Sequence, residues 1–190
     1  MKQLISIILG VTFLFSVNVL ASTTLNSIVN ELPEYSKIYD DTRDPFEDAR
    51  SALTLAKETN RQVLIEIGGN WCSWCHKMDD FLAKNPDIFQ ALHANYVLLK
   101  INVSDSNENK AFMDALPPVL GYPHMYVSTA SGKMILSKDT AELLAGSEYS
   151  REQWLTFIDK WSLNQWLANS EENQPSPNTG ASNSRQETEE

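Results

Sequence analysis

From Arg61 to Ile67 the chain is almost continuously apolar, with Val63, Leu64, Ile65 and Ile67 in the run, which is the pattern of a strand buried on both faces. Tyr96 to Val103 predicts a second strand of the same kind. Between them Trp74, Cys75, Met78, Phe81 and Leu82 recur at helical spacing, so a helix is expected from Cys72 to about Lys84, directly after the break at Gly68-Gly69-Asn70. A short helix from Pro86 to His93 comes next. Upstream, Asp44 is placed to cap and Pro45 to open a helix whose stripe of Phe46, Ala49, Leu53 and Ala56 reaches about Thr59. Beyond the second strand lie a polar loop and a helix near Asn107 to Leu116. Pro123 to Ser128, the turn Ser131-Gly132-Lys133 and Met134 to Ser137 read as an antiparallel hairpin. A final helix, Arg151 to Ala168, is expected to bury Trp154, Phe157, Ile158, Trp161 and Leu167. The order β-α-β-α-β-β-α predicts an α/β fold with a central mixed sheet flanked by helices.

The ends of the chain have a different character. Lys2 precedes an apolar run from Leu4 to Leu20, and Val19-Leu20-Ala21 supplies small residues at signal-peptide spacing, so residues 1–21 are expected to be a signal peptide cleaved after Ala21. The alternative is a retained anchor, but Ser6, Gly10, Thr12, Ser16 and Asn18 interrupt a run already short for a span. No cysteine sits at the cleavage point, which argues against lipoprotein processing. Residues 22–43 have no clean period and contain Pro33, as in an arm crossing the surface of the domain. Residues 44–169 are expected to form one domain, which suits a 190-residue chain with 42% hydrophobic content. Residues 170–190 carry five Glu and one Arg and no apolar residue beyond alanine, the composition of a disordered acidic tail. The expected location is periplasmic or secreted, with no stable membrane insertion after cleavage.

Loss of residues 1–21 leaves 14 basic against 25 acidic residues, a net charge of about −11. No cluster of Lys and Arg is present to neutralise a phosphate backbone, so nucleic acid is excluded as a partner.

The chain has two cysteines, Cys72 and Cys75. A bridge between them closes a loop of about four residues and so adds little stability, which calls for a chemical explanation of the pair. Thiol–disulfide exchange proceeds through a thiolate, and a helix N-terminus favours one through its free amides and positive dipole end. Cys72 is therefore expected to be the nucleophile, and Cys75, one turn further in, the resolving thiol.

Gly68-Gly69-Asn70-Trp71-Cys72-Ser73-Trp74-Cys75-His76 resembles the signature of exported thioredoxin-like proteins of the thioredoxin superfamily, and the resemblance extends over about Asp44 to Ala168. It implies a thiol:disulfide oxidoreductase that needs no cofactor or metal and works on exported protein thiols and disulfides together with a redox partner protein. Gly121-Tyr122-Pro123 matches the family's cis-proline loop. The resemblance implies that Pro123 packs against the disulfide and that Tyr122 offers backbone hydrogen bonds to substrate. Glu66 stands where the family carries a buried carboxylate, usually Asp, that accepts or relays the proton of the resolving thiol. Strand alternation also permits Glu66 to point to a solvated sheet edge. Trp71 and Trp74 are expected to shield the site and form a docking surface. The Ser73-Trp74 dipeptide lacks the Gly-Pro of strongly reducing thioredoxins, which points to a less reducing potential. His76 replaces the Lys or Arg common at its position, and its imidazolium would further favour a thiolate. His124 is expected near the same groove, and His93 is assigned to structure.

Three other readings compete. Cys72-Ser73-Trp74-Cys75-His76 also satisfies the C-x-x-C-H pattern of covalent haem, but a cytochrome is mostly helical and needs a second axial ligand, while Met125 and Met134 both lie in predicted strands. Zinc normally requires four ligands and only Cys72, Cys75 and His76 are local, whereas copper(I) requires fewer soft ligands. The third is a binding module of the same fold that keeps the cysteines but acts through its Trp-rich face.

Overall fold

The structure, a computed structural model, describes residues 28–172. The expected signal segment, residues 1–21, and residues 173–190 of the expected tail lie outside the described residues. No described helix is long and apolar enough to cross a membrane.

Four strands form the main sheet: β1 (Gln62–Gly68), β2 (Tyr96–Asn102), β3 (His124–Ser128) and β4 (Met134–Asp139), in the order β2-β1-β3-β4. β1 runs parallel to β2 and antiparallel to β3, which pairs antiparallel with β4. The apolar runs read in the sequence thus occupy neighbouring strands, with every residue of β1 and β2 buried. Alternate positions feed two cores. Leu64, Leu98, Met125 and Val127 pack with Met78, Leu82, Ile88, Trp154 and Phe157 on one face. Val63, Ile65, Ile67, Val97, Leu99 and Tyr126 pack with Tyr35, Ala52, Ala56 and Phe112 on the other. At roughly 1.5–3 kcal/mol for each large apolar side chain fully buried, this double cover is the main stabilising contribution to the sheet.

The helices around it include α1 (Glu34–Lys37), α2 (Pro45–Glu58), α3 (Ser73–Lys84), α4 (Pro86–Asn95), α5 (Lys110–Met113), α6 (Arg151–Lys160) and α7 (Leu163–Glu172). Asp44 caps α2 by accepting from the amides of Phe46 and Glu47, two donors that the helix itself leaves unpaired. Ala52 and Ala56 are buried on its inner face, whereas Phe46 lies at the rim, edge-on to Phe112 at 5.2 Å.

Two helical expectations change. The helix expected from Asn107 shrinks to α5, because Asn107 folds back on Ser104 and Asn109 takes a left-handed conformation, φ 46°. The expected last helix divides at Trp161, and Ser162 restarts it through its carbonyl to the Trp166 amide and its hydroxyl to the Gln165 amide. The break turns the second half away from the core. Trp154, Phe157 and Ile158 are buried as expected, but Trp161 is half-buried and Leu167 is exposed. α7 runs on to Glu172, so the first residues of the expected tail are helical.

Before α2, the chain is stitched to the domain rather than laid loosely over it. Tyr35, Ser36 and Tyr39 are buried, and the Ser36 hydroxyl donates to the Leu98 carbonyl at 2.5 Å. After β4, a 3-10 turn (Thr140–Leu143) leads to a small hairpin of β5 (Leu144–Ala145) and β6 (Glu148–Tyr149) that the sequence does not suggest. It bends at Gly146, whose φ of 68° suits glycine, and brings Tyr149 against Trp74, Phe81 and Trp154.

Candidate active site

Cys72 is the N-cap of α3, in extended conformation, and its sulfur accepts from the Cys75 amide at 3.1 Å. The two cysteines form a disulfide with Cα atoms 5.2 Å apart. Cys72 is 4% exposed and Cys75 not at all. On reduction, a negative sulfur at Cys72 would meet the amides and the positive dipole end of a twelve-residue helix, whereas Cys75 lies inside the first turn.

The peptide between Tyr122 and Pro123 is cis. Tyr122 packs against the cysteine pair, and Trp71 meets its ring edge-on at 5.2 Å. The Trp71 indole donates to the Val103 carbonyl at 2.6 Å, which fixes a ring that is 57% exposed. Pro123 is buried, and its carbonyl accepts from the Thr140 hydroxyl at 2.6 Å. On the other side Trp74 stands edge-on to Tyr149 at 6.0 Å under the Lys77 ammonium, while Ser73 is exposed. Tyr122 is a ridge between two recesses. One, of about 1110 Å³, is walled by Trp71, Val103, Met113, Leu116 and Val119, and the other, of about 300 Å³, by Trp74, Leu120, Pro123 and Tyr149.

Glu66 is 1% exposed, because helices cover both faces of β1, so the solvated-edge placement does not hold. Its carboxylate accepts from the Tyr39 hydroxyl and lies 3.9 Å from the Lys100 ammonium. Lys100 donates to both oxygens of Asp79, at 2.6 and 2.7 Å, and sits 4.9 Å above the Tyr39 ring. Burial pushes the Glu66 carboxyl above its usual range, and Lys100 offsets only part of that. Burial lowers Lys100, but Glu66 and Asp79 outweigh it and leave the ammonium held more firmly than in water. Burial and then the Glu66 charge keep the Tyr39 phenol protonated well beyond its ordinary range.

Gly68 makes this crowding possible. A side-chain carbon there would stand 2.6 Å from the Cys75 sulfur and 2.6 Å from the Tyr39 hydroxyl, closer than such contacts allow.

His76 is exposed, and its Nε2 donates to the Asn70 carbonyl at 2.8 Å, so its ring fastens the loop before the cysteines. The Asn70 amide in turn donates to the Tyr39 carbonyl. His124 does not face the groove. It pairs in register with Ile67, on the face opposite Glu66, and hydrogen-bonds Ser137 at 2.9 Å. His93 is buried against Phe89, and burial lowers it to about 4. Among the described residues no group of three or more His, Cys, Asp and Glu side chains is arranged to hold a metal ion. Met125 is fully buried in the core and Met134 half-buried.

The sequence reading does not single out Tyr39, Lys100 or Asp79. Lys100 carries a signal, a lone charge in an apolar strand, like Glu66 in the strand beside it. Tyr39 carries none, since its segment has no period.

Fold and site define a thioredoxin-like α/β protein with a disulfide-forming cysteine pair at a helix N-terminus. Residues 44–130 match the model of a family described as thioredoxin-like. The crystal structure of a disulphide isomerase from Xylella fastidiosa Temecula1 is similar at a TM-score of 0.56 and 25% identity, over 68% of this chain and 96% of that one. Spermatogenesis-associated protein 20 of Mus musculus is 23% identical over 158 residues, 74% of this chain and 19% of the mouse protein. Its Rattus norvegicus counterpart is 26% identical over 82 residues, 42% of this chain and 10% of the rat protein. The chain thus spans about a fifth or less of the length of these curated relatives.

Proposed function

We propose that the protein is a thiol:disulfide oxidoreductase acting on exported proteins, directed out of the cytoplasm by residues 1–21 and reset by a redox partner protein. One observation carries the reading: the Cys72–Cys75 bond at the start of α3, with Tyr122, the residue before cis-Pro123, packed against it. The similar Xylella structure, described as a disulphide isomerase, supports it.

In the reducing direction, the Cys72 thiolate attacks one sulfur of a substrate disulfide. The substrate S–S bond breaks, a mixed disulfide forms, and the other substrate sulfur leaves as a thiolate. The Cys75 thiol then gives its proton to Glu66 and its sulfur attacks Cys72. The Cys72–Cys75 bond forms, the mixed disulfide breaks, and the second substrate sulfur leaves as a thiolate. Two electrons pass from the dithiol to the substrate, and the reverse sequence oxidises. Glu66 suits the proton step because its burial raises its affinity for a proton. Tyr122 supplies backbone contacts to substrate, Trp71 and Trp74 flank the docking ridge, and His76 holds the preceding loop.

Insulin reduction and oxidative refolding, measured for wild type and Cys72→Ser, test the reading: the variant is expected to lose both. Cys75→Ala should accumulate dithiothreitol-sensitive adducts with exported proteins, and Cys72→Ala few. Wild type inert in both assays, with no adducts from either variant, would favour the binding module instead.

A further inference from the structure

Tyr39 is buried, belongs to the segment before α2, and packs with Cys72 and Cys75. Its hydroxyl donates to Glu66 Oε1, so the lone pairs of the same oxygen face away from that bond and can accept a proton. Cys75 is its neighbour, because its sulfur and the Tyr39 oxygen are each 2.6 Å from the point where a Gly68 side-chain carbon would stand, within one buried cluster. We infer that the Tyr39 hydroxyl carries the proton from the Cys75 thiol to Glu66. The inference rests on the thiol–disulfide reading above and assigns a route to its resolving step.

The step balances. As the Cys75 sulfur attacks Cys72, the Cys75 proton moves to the Tyr39 oxygen and the Tyr39 hydroxyl proton moves to Glu66 Oε1. The Cys75–Cys72 bond forms, the Cys72–substrate bond breaks, and the substrate departs as a thiolate. Tyr39 ends neutral and Glu66 protonated, and the substrate disulfide is the only oxidant.

The other groups facing this route suit it. Lys100 from β2 bonds both oxygens of Asp79 from α3, and it makes its longer approach to Glu66 from 3.9 Å. Tyr149 from β6 and the Glu66 and Asp79 charges all oppose loss of the Tyr39 proton. Tyr39 is thereby kept as a neutral hydroxyl, the form that can both give and take a proton. Tyr122 packs against the cluster that Tyr39 forms with the two cysteines.

The test uses the full, reduced chain mixed with oxidised glutathione and tracks decay of the glutathione mixed disulfide by acid quench and mass spectrometry. Tyr39→Phe should resolve roughly tenfold or more slowly than wild type near pH 6, with the gap closing as alkali ionises Cys75 without a base. Glu66→Gln should behave alike, and the double variant should be no slower than the slower single one. Unchanged iodoacetamide labelling of Cys72 in Tyr39→Phe confirms an intact site. Wild type supplies a second reading that needs no variant, since resolution in mixed light and heavy water should show a curved dependence on deuterium fraction, as expected when both protons move. A pH-independent deficit in Tyr39→Phe, multiplied losses in the double variant, or a linear deuterium dependence would overturn the relay while leaving the exchange reaction standing. A wild type that forms no mixed disulfide would overturn the exchange reaction and the relay with it.

Discussion

Glu66 and Lys100 are register partners in the parallel β1–β2 ladder, yet the lysine ammonium stands closer to Asp79, at 2.6 Å, than to Glu66, at 3.9 Å. Asp79 is 43% exposed and gives Lys100 a stable partner at the edge of the core. The buried carboxylate is consequently only partly compensated, and its affinity for a proton rises. A tight Glu66–Lys100 pair would have removed the base from the site.

This arrangement makes stability depend on pH. The folded-state pKa of Glu66 lies above its ordinary value of 4.5, so its contribution is complete below that value and is lost as pH rises through the folded pKa. Over that window oxidised wild type should lose stability relative to Glu66→Gln by up to about 1.4 kcal/mol per pH unit. Lys100→Met, which removes an attraction that lowers the Glu66 pKa, should carry the decline to higher pH. Urea unfolding of the oxidised forms across pH measures both, and parallel curves for wild type and Glu66→Gln would count against a raised Glu66 pKa.

Gly68→Ala is expected to destabilise the oxidised protein by about 1–3 kcal/mol, since the new methyl would meet the Cys75 sulfur and the Tyr39 hydroxyl and one of them must move. Gly121→Ala is the control. A methyl there meets nothing within 4 Å, so it should change stability by no more than about 0.5 kcal/mol. Equal effects of the two changes in thermal melting would contradict the packing described around Cys75.

Trp71→Ala removes an exposed ring that leans on Tyr122 and walls the larger recess. If substrates dock there, kcat/KM for a protein disulfide should fall roughly tenfold, the size of a loss of about 1.4 kcal/mol. Reaction of Cys72 with a small aromatic disulfide should be nearly unchanged. An equal loss on both substrates would move the tryptophan's role from docking to the chemistry at Cys72.

Much of this architecture is legible in the pattern of apolar residues. β1 and β2 read as continuous apolar runs because both of their faces are covered, and α3 reads as a helix because Met78 and Leu82 return to one core. The break at Trp161–Ser162 is hidden because apolar spacing continues through it and only the cap marks the restart. α5 is shorter than its sequence suggests because a polar stretch with good helix formers says nothing of the left-handed turn at Asn109. Cys72, Cys75, Trp71 and Tyr122 lie together where local motifs place them. Tyr39 escapes notice because its contact with Glu66 joins residues 27 apart, from a segment with no period.

The segment that matches the family model begins at residue 44, after Tyr39. A fragment cut at that boundary would keep Cys72, Cys75, Glu66 and Pro123 and yet lose the phenol wedged beside the sulfurs. Tyr149 and Trp154, which pack around Trp74 and Phe81, likewise fall after its end at residue 130. The segment that the family model matches is therefore a frame, and the walls that close it around the disulfide come from the residues on either side of it.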